Sequence, residues 1–106
     1  MVPRIMIDRL EDEVDMLSRH LHVLELVLEN EPIGIVKMSN ETGHKHHEVR
    51  YSLRVLEEKQ LIEPTDNGAI ATEQTNEYVA DLDEKIDAVN DKLEQIRISE
   101  ELEVDR

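Results

Sequence analysis

Apolar residues near both ends of the chain recur at alternating spacings of three and four, and this pattern restricts the fold more than any other feature. Near the carboxyl end the series is Val79, Leu82, Ile86, Val89, Leu93 and Ile96. A seven-residue repeat of this kind predicts a helix with one narrow apolar seam, the type of seam that pairs with another helix in a coiled coil. The next two seam positions are Glu100 and Glu103, so we expect the seam to end there and residues 99–106 to form a disordered acidic tail.

The amino-terminal part of the chain carries a second seam with the same spacing. Its members are Ile7, Leu10, Val14, Leu17, Leu21, Leu24 and Leu28. This seam predicts a helix over residues 5–29, and its apolar stripe widens after Leu21, as expected where an extended helix continues into a globular core. We therefore predict a helical extension over residues 1–20, a compact domain over 21–73, and a dimerisation helix over 74–98.

The compact domain is predicted to begin with two further helices after the first. Thr42-Gly43 is a tight-turn signal, because glycine adopts the positive φ that such a corner requires. It separates a short helix over about residues 34–41 from a longer one over about residues 44–60. The longer helix is expected to bury Val49, Leu53 and Leu56.

A β-hairpin is predicted to follow these helices. Asp66-Asn67-Gly68 stands between two short runs of β-compatible residues, 61–64 and 69–72, and is a hairpin signal. Tyr51 and Tyr78 are the only aromatic residues, so the core must consist of Leu, Ile, Val and Met, which suits helix packing and argues against a β-sandwich. The predicted fold class is mainly α with a small β-hairpin.

Length and residue usage exclude several classes of protein. A chain of 106 residues suffices for one modest hydrophobic core, and the absence of cysteine excludes disulfide bonds and thiolate zinc sites. No apolar run reaches the roughly 20 residues of a membrane span, and none resembles a signal peptide, so we expect a cytoplasmic protein with no membrane partner. Glycine-rich phosphate loops and nucleophile motifs are missing, so we expect neither an enzyme nor a cofactor.

Negative charge is distributed unevenly along the chain. The formal net charge is -14, of which residues 1–30 carry -4 and residues 61–106 carry -10, whereas residues 31–60 are neutral. Within that middle third, the segment 44–54 has three basic residues and three histidines against one acidic residue. Because Lys and Arg bind phosphate, this segment is the candidate for contact with an anionic partner. The acidic remainder is the composition expected of a protein adapted to high salt.

The order of these elements, ending in a hairpin and a heptad helix, resembles the winged helix-turn-helix regulators of archaea and bacteria. The residues that carry the resemblance are Leu53, Leu56-Glu57, Gln60-Leu61-Ile62, Gly68 and Thr72. The resemblance extends over residues 18–98 and is a pattern of apolar spacings. Gln60 departs from it, because the family usually has glycine there. Residues 63–73, the wing, contain no Lys or Arg, so the family's basic wing contact is not expected.

The resemblance implies sequence-specific binding of double-stranded DNA for transcriptional regulation, with the third helix in the major groove. The matching positions are Ser39, Asn40, Thr42, His44, Lys45, His46, His47, Arg50, Tyr51 and Arg54. We assign Arg50 to a base edge and Lys45 and Arg54 to phosphates, and we expect the polar residues that end the second helix to contact phosphate. The alternative is that these are ordinary solvated charges on an amphipathic helix, but their positive bias within an anionic chain favours DNA.

The histidines admit a second interpretation. His44 and His47 are three residues apart, and His20 and His22 lie on the first helix, so a nickel- or zinc-sensing repressor is a less favoured alternative. Zinc needs three or four converging ligands and no cysteine can complete such a set, so we predict no metal site. Histidines titrate at about pH 6.5 and would instead raise DNA affinity as the pH falls.

The two seams predict a homodimer, because pairing removes an apolar stripe from water. The predicted interface positions are Leu10, Val14, Leu17, Val79, Leu82, Ile86, Val89, Leu93 and Ile96. Pairing of the two helices within one chain and pairing between chains both satisfy the pattern. A twofold dimer would present two third helices to successive major grooves, about 34 Å apart. The principal alternative is a winged-helix protein-interaction module that binds a basic partner through its acidic coiled coil and does not bind DNA.

Overall fold

The computed structural model describes residues 4–96, and within this range the chain forms four helices and two short strands. The elements are α1 (Arg4–Asn30), α2 (Ile35–Thr42), α3 (His46–Glu58), β1 (Ile62–Thr65), β2 (Gly68–Ala71) and α4 (Thr75–Gln95). The prediction of a mainly helical chain with one small antiparallel hairpin is confirmed. The chain divides into two units, the first ending at Thr75 and the second beginning at Asn76. The predicted acidic tail, 99–106, lies outside the described residues.

The core of the first unit forms where the carboxyl-terminal half of α1 meets α2, α3 and the hairpin. Its buried apolar residues are Val23, Leu24, Leu26, Val27, Ile33, Met38, Val49, Leu56, Leu61, Ile62 and Ala69. Residues 6–18 of α1 are exposed throughout, whereas the segment 23–27 supplies four members of the core. The apolar stripe therefore widens close to where α1 enters the core, as its sequence predicted.

Gly43 forms the corner between α2 and α3. Its φ of 80° lies in the left-handed region, which glycine adopts without steric cost, and its amide donates to the Ser39 carbonyl at 2.8 Å. α3 begins at His46, so the predicted start at residue 44 is wrong by two residues. His44 and Lys45 belong to the turn, and Lys45 has the extended backbone of an N-cap residue.

The chain leaves α3 through Gln60, which has a φ of 64°. This left-handed conformation costs a residue with a side chain roughly 1–2 kcal/mol, whereas glycine adopts it freely. The amides of Gln60 and Leu61 donate to the carbonyls of Glu57 and Leu56 at 2.9 and 3.0 Å. These bonds satisfy carbonyl groups that the end of a helix would otherwise leave without partners. α3 therefore ends at Glu58, before the predicted residue 60.

The hairpin has a two-residue loop, Asp66-Asn67, because Thr65 and Gly68 already pair across the strands. Beyond the hairpin, Ile33 forms an isolated antiparallel bridge with Ala69 of β2. Their amides and carbonyls bond reciprocally, at 2.9 and 3.2 Å. This bridge ties the segment between α1 and α2 to the hairpin.

The described part of the second unit consists of α4 from Asn76 onwards, followed by Ile96. Thr75, the first residue of α4, belongs to the first unit. The exposed members of its apolar series are Val79, Ile86, Val89 and Ile96, with 37–61% of their surfaces accessible, and Leu82 and Leu93 are partly exposed. The seam predicted from the sequence is therefore helical up to Gln95, where α4 ends. Its apolar side chains are exposed or partly exposed in the single chain. No helix among residues 4–96 has both the length and the apolar character needed to cross a membrane.

Candidate nucleic-acid interface

The outward face of α3 carries the basic residues and histidines of the segment 46–54. Its exposed members are His46, His47, Arg50 and Arg54. Because these residues are three or four positions apart, they are neighbours on one helical surface. Val49 and Leu56, on the opposite side, are buried in the core. The amphipathic pattern of α3 therefore turns its basic side chains towards solvent.

This basic surface ends after Arg54. Glu57 and Glu58, three and four residues further on, are exposed at the end of the same helix. An anion approaching α3 would meet favourable charge over its first two turns and repulsion at its end. The charges of α3 therefore favour an anion at the amino-terminal two-thirds of the helix and disfavour one at its carboxyl-terminal end.

Glu48 is the one acidic residue of the basic segment, and it caps α3. Its carboxylate accepts the backbone N–H of Lys45 at 2.9 Å and lies 3.9 Å from Arg19 Nη1 and 3.8 Å from His44 Nδ1. The Lys45 bond is the main cause of a lowered Glu48 pKa, and charge from Arg19, His44 and His47 adds to it. The negative charge of Glu48 is therefore directed to the start of the helix and to neighbouring cations.

The predicted phosphate-binding hydroxyls at the end of α2 already take part in local hydrogen bonds. Ser39 Oγ donates to the His44 carbonyl at 2.5 Å, and Thr42 Oγ1 donates to the Met38 carbonyl at 2.8 Å. Thr42 Oγ1 also accepts the His44 amide at 3.1 Å. Donation from either hydroxyl to a phosphate would have to replace one of these bonds. Asn40 is exposed on the same turn.

Tyr51 is an exposed aromatic residue close to two guanidinium groups. The Cζ atoms of Arg19 and Arg54 each lie 6.0 Å from its ring centroid, at the outer limit of a cation–π contact. The His20 ring is 5.7 Å from the Tyr51 ring and tilted by 47°. Two residues of α1 therefore adjoin the basic face of α3, an arrangement that the sequence did not predict.

Ser52 links α1 to α3 beneath this surface. It is fully buried, and its Oγ accepts a hydrogen bond from Arg19 Nε at 3.1 Å and lies 2.7 Å from His20 Nδ1. Burial lowers the pKa of His20, and the charge of Arg19 lowers it further. We refer to Arg19, His20 and Ser52 as the Ser52 node.

The Ser52 node was missed by sequence reasoning, although one signal pointed to part of it. Ser52 is three residues after Val49 and four before Leu56, so a polar side chain occupies a core position of an amphipathic helix. A buried hydroxyl requires a hydrogen-bond partner. The sequence could not show that α1 supplies two partners.

The histidines do not converge on a common point. The rings of His22 and His44 meet edge to face with their centroids 6.4 Å apart, while His20 packs against Tyr51. Because His44 precedes α3, it does not share a helical face with His47, as the metal-sensing alternative required. Across residues 4–96, no group of three or more His, Asp or Glu side chains is arranged to hold a metal ion.

Comparison of the sequence with protein-family models and with curated proteins finds no match.

Proposed function

We propose that the protein is a sequence-specific regulator of transcription that binds double-stranded DNA as a homodimer and belongs to the winged helix-turn-helix class. In this assignment α2 and α3 form the helix-turn-helix, α3 enters the major groove, and β1–β2 is the wing. The observation that carries the proposal is the exposed basic face of α3 on a chain whose net charge is -14.

Arg50 occupies the centre of that face and is assigned to a base edge. It lies four residues from both His46 and Arg54, so it has basic neighbours one turn away on either side. An arginine in the major groove donates two hydrogen bonds to O6 and N7 of guanine. Lys45 and Arg54, towards the two ends of the basic segment, are assigned to phosphates, which position a protein on DNA without reading sequence.

The wing contributes no positive charge to this interface. Its loop, Asp66-Asn67, is exposed and includes one carboxylate. Repulsion between phosphate and the acidic surface of the remaining chain disfavours other modes of docking. Affinity in this proposal therefore depends on α3 and the turn before it.

Self-association through the exposed seams completes the proposal. Leu10, Val14 and Leu17 of α1 have 39–50% of their surfaces accessible, and the α4 seam is also open in the single chain. Pairing with a second copy would remove these apolar surfaces from water. A twofold axis would place two copies of α3 along one duplex.

Selection of bound duplexes from a random pool tests the proposal, followed by titration of the selected duplex at low and high salt. Arg50→Ala is expected to weaken binding by about 1–3 kcal/mol and to relax the preference at one base pair. Arg9→Ala is the matched control, because Arg9 is exposed on α1 far along the helix from Arg19. Failure to enrich any sequence at low salt would favour the protein-interaction alternative, whereas equal losses in the two variants would contradict the assignment of Arg50 to a base edge.

A further inference from the structure

The hydrogen bonds of the Ser52 node assign a protonation state to His20. Arg19 Nε carries a proton and can only donate, so Ser52 Oγ must be its acceptor. The hydroxyl proton of Ser52 is then free to point at His20 Nδ1, 2.7 Å away. Nδ1 can accept this hydrogen bond only when it is unprotonated and offers its lone pair. The imidazole proton of neutral His20 is therefore on Nε2.

We propose that Arg19 and His20 are positioning residues for the DNA-binding helix: neutral His20 holds α3 against α1 through Ser52, and protonation of His20 loosens that contact. The inference rests on the proposed function, because it concerns the helix assigned to the major groove. It extends that function by making DNA affinity depend on a histidine that does not touch DNA.

Protonation of His20 would convert Nδ1 from a hydrogen-bond acceptor into a donor, although the Ser52 hydroxyl proton needs an acceptor there. The hydroxyl proton of a fully buried serine would then lose its partner, which is costly in a protein interior. Arg19 would also face a second cation across the same hydroxyl group. Protonation therefore opposes the observed arrangement of α1 and α3.

The other groups around His20 do not offset that positive charge. Tyr51, on α3, presents an aromatic ring, and Arg54, whose Cζ atom is 6.0 Å from the centroid of that ring, is itself a cation. Glu48, the carboxylate of this cluster, already accepts the Lys45 amide and is paired with Arg19. Burial and Arg19 lower the pKa of His20, in agreement with the geometry.

Two groups of histidines should thus affect DNA binding with opposite signs. His46 and His47 are exposed on the outward side of α3, where a proton on either ring would add positive charge to the surface assigned to DNA. His20 lies behind α3, and its protonation weakens binding. The two contributions can be separated by a variant that removes only the titration of His20.

His20→Asn is that variant, because the asparagine Oδ1 takes the place of Nδ1 as acceptor for Ser52 and does not titrate. At about pH 8 it should bind the selected duplex within about twofold of wild type. At about pH 5.5 it should bind more than about twofold more tightly than wild type, because His20 of the wild-type protein must stay neutral for α3 to remain in place, whereas the asparagine does not titrate. His22→Asn, an exposed histidine of the same helix, should leave this ratio unchanged.

A second measurement on the wild-type protein keeps the inference testable if His20→Asn folds poorly. Long-range ¹H–¹⁵N NMR spectra should show His20 with its proton on Nε2 and a titration below the ordinary histidine range. Detection of the proton on Nδ1 at neutral pH would contradict the hydrogen bond donated by Ser52 to His20 and overturn this inference. Duplex binding with parallel pH profiles for wild type and His20→Asn would overturn only this inference, whereas no duplex binding by wild type at either pH would overturn the proposed function as well.

Discussion

Gly68 lies so close to the backbone of Ile33 that no side chain fits between them. A Cβ atom on Gly68 would be 2.6 Å from the carbonyl carbon and oxygen of Ile33, and the φ of Gly68 is 127°. The contact occurs where Ile33 pairs with Ala69, so it joins the segment after α1 to the hairpin. Glycine is required here both for its conformation and for the close approach of two backbones.

Gly68→Ala should therefore lower the free energy of unfolding by about 2–4 kcal/mol, the combined effect of backbone strain and overpacking. Urea denaturation followed by circular dichroism measures the change. The matched control is Gly34→Ala, because Gly34 has a φ of -97° and a Cβ atom there would meet no atom within 4 Å beyond its two chain neighbours. Similar losses in the two variants would show that the approach of Ile33 is not restrictive.

Gln60→Gly should have the opposite effect and stabilise the protein by up to about 1.5 kcal/mol. Relief of the left-handed conformation contributes roughly 1–2 kcal/mol, and the greater freedom of glycine in the unfolded chain removes about 0.5–1 kcal/mol. Lys59→Gly is the control, because Lys59 has a φ of -89° and gains nothing from glycine. Thermal unfolding should rank Gln60→Gly above wild type and Lys59→Gly below it, and the reverse order would contradict the assignment.

Glu48 should make the free energy of unfolding depend on pH in the acidic range. Its pKa is lower in the folded protein than in the unfolded chain, chiefly because of the Lys45 amide bond. Its stabilising contribution is therefore complete above the ordinary carboxyl pKa and is lost as the pH falls through the lower folded value.

Glu48→Gln should consequently lose less stability than wild type between about pH 6 and about pH 3. The melting temperature measured across this range provides the comparison. Glu25→Gln, at an exposed position of α1, controls for the loss of one negative charge. Parallel curves for wild type and Glu48→Gln would show that the cap does not contribute.

Arg54→Ala should separate phosphate contact from base recognition. If Arg54 neutralises one phosphate, the slope of log affinity against log salt concentration falls by about one, while the preferred sequence stays the same. Lys85→Ala, on α4, removes one exposed positive charge outside α3 and should leave the slope unchanged. A changed base preference in Arg54→Ala would instead assign this arginine to a base edge.

Ile86→Asp should disrupt self-association. Ile86 is 44% exposed in the single chain and occupies the centre of the α4 seam, where a carboxylate would be buried on pairing. We expect the dimer dissociation constant to rise by at least about tenfold, which corresponds to about 1.4 kcal/mol. Sedimentation equilibrium measures the dissociation constant of each variant. Ala88→Asp is the control, because Ala88 is exposed and lies two residues from Ile86, outside the seam. A monomeric wild type would contradict the dimer.

Local patterns were sufficient for the order and approximate bounds of the elements. Heptad spacing located α1 and α4, Gly43 located the corner between α2 and α3, and Asp66-Asn67 located the hairpin loop. These signals depend on residues within one or two turns of each other, so they can be read without knowing which elements meet. The basic segment of the candidate site was also evident, because the charged residues can be read directly from their positions in the sequence.

The tertiary structure alone decided which residues meet across the fold. Ser52 is 33 residues from Arg19 and 32 from His20, and no periodicity relates positions so far apart. The same holds for Gly68 and Ile33, whose contact exists only because the hairpin closes against the segment after α1. Local spacing specifies the face that an element presents, but the partner of that face is selected by packing of the whole core.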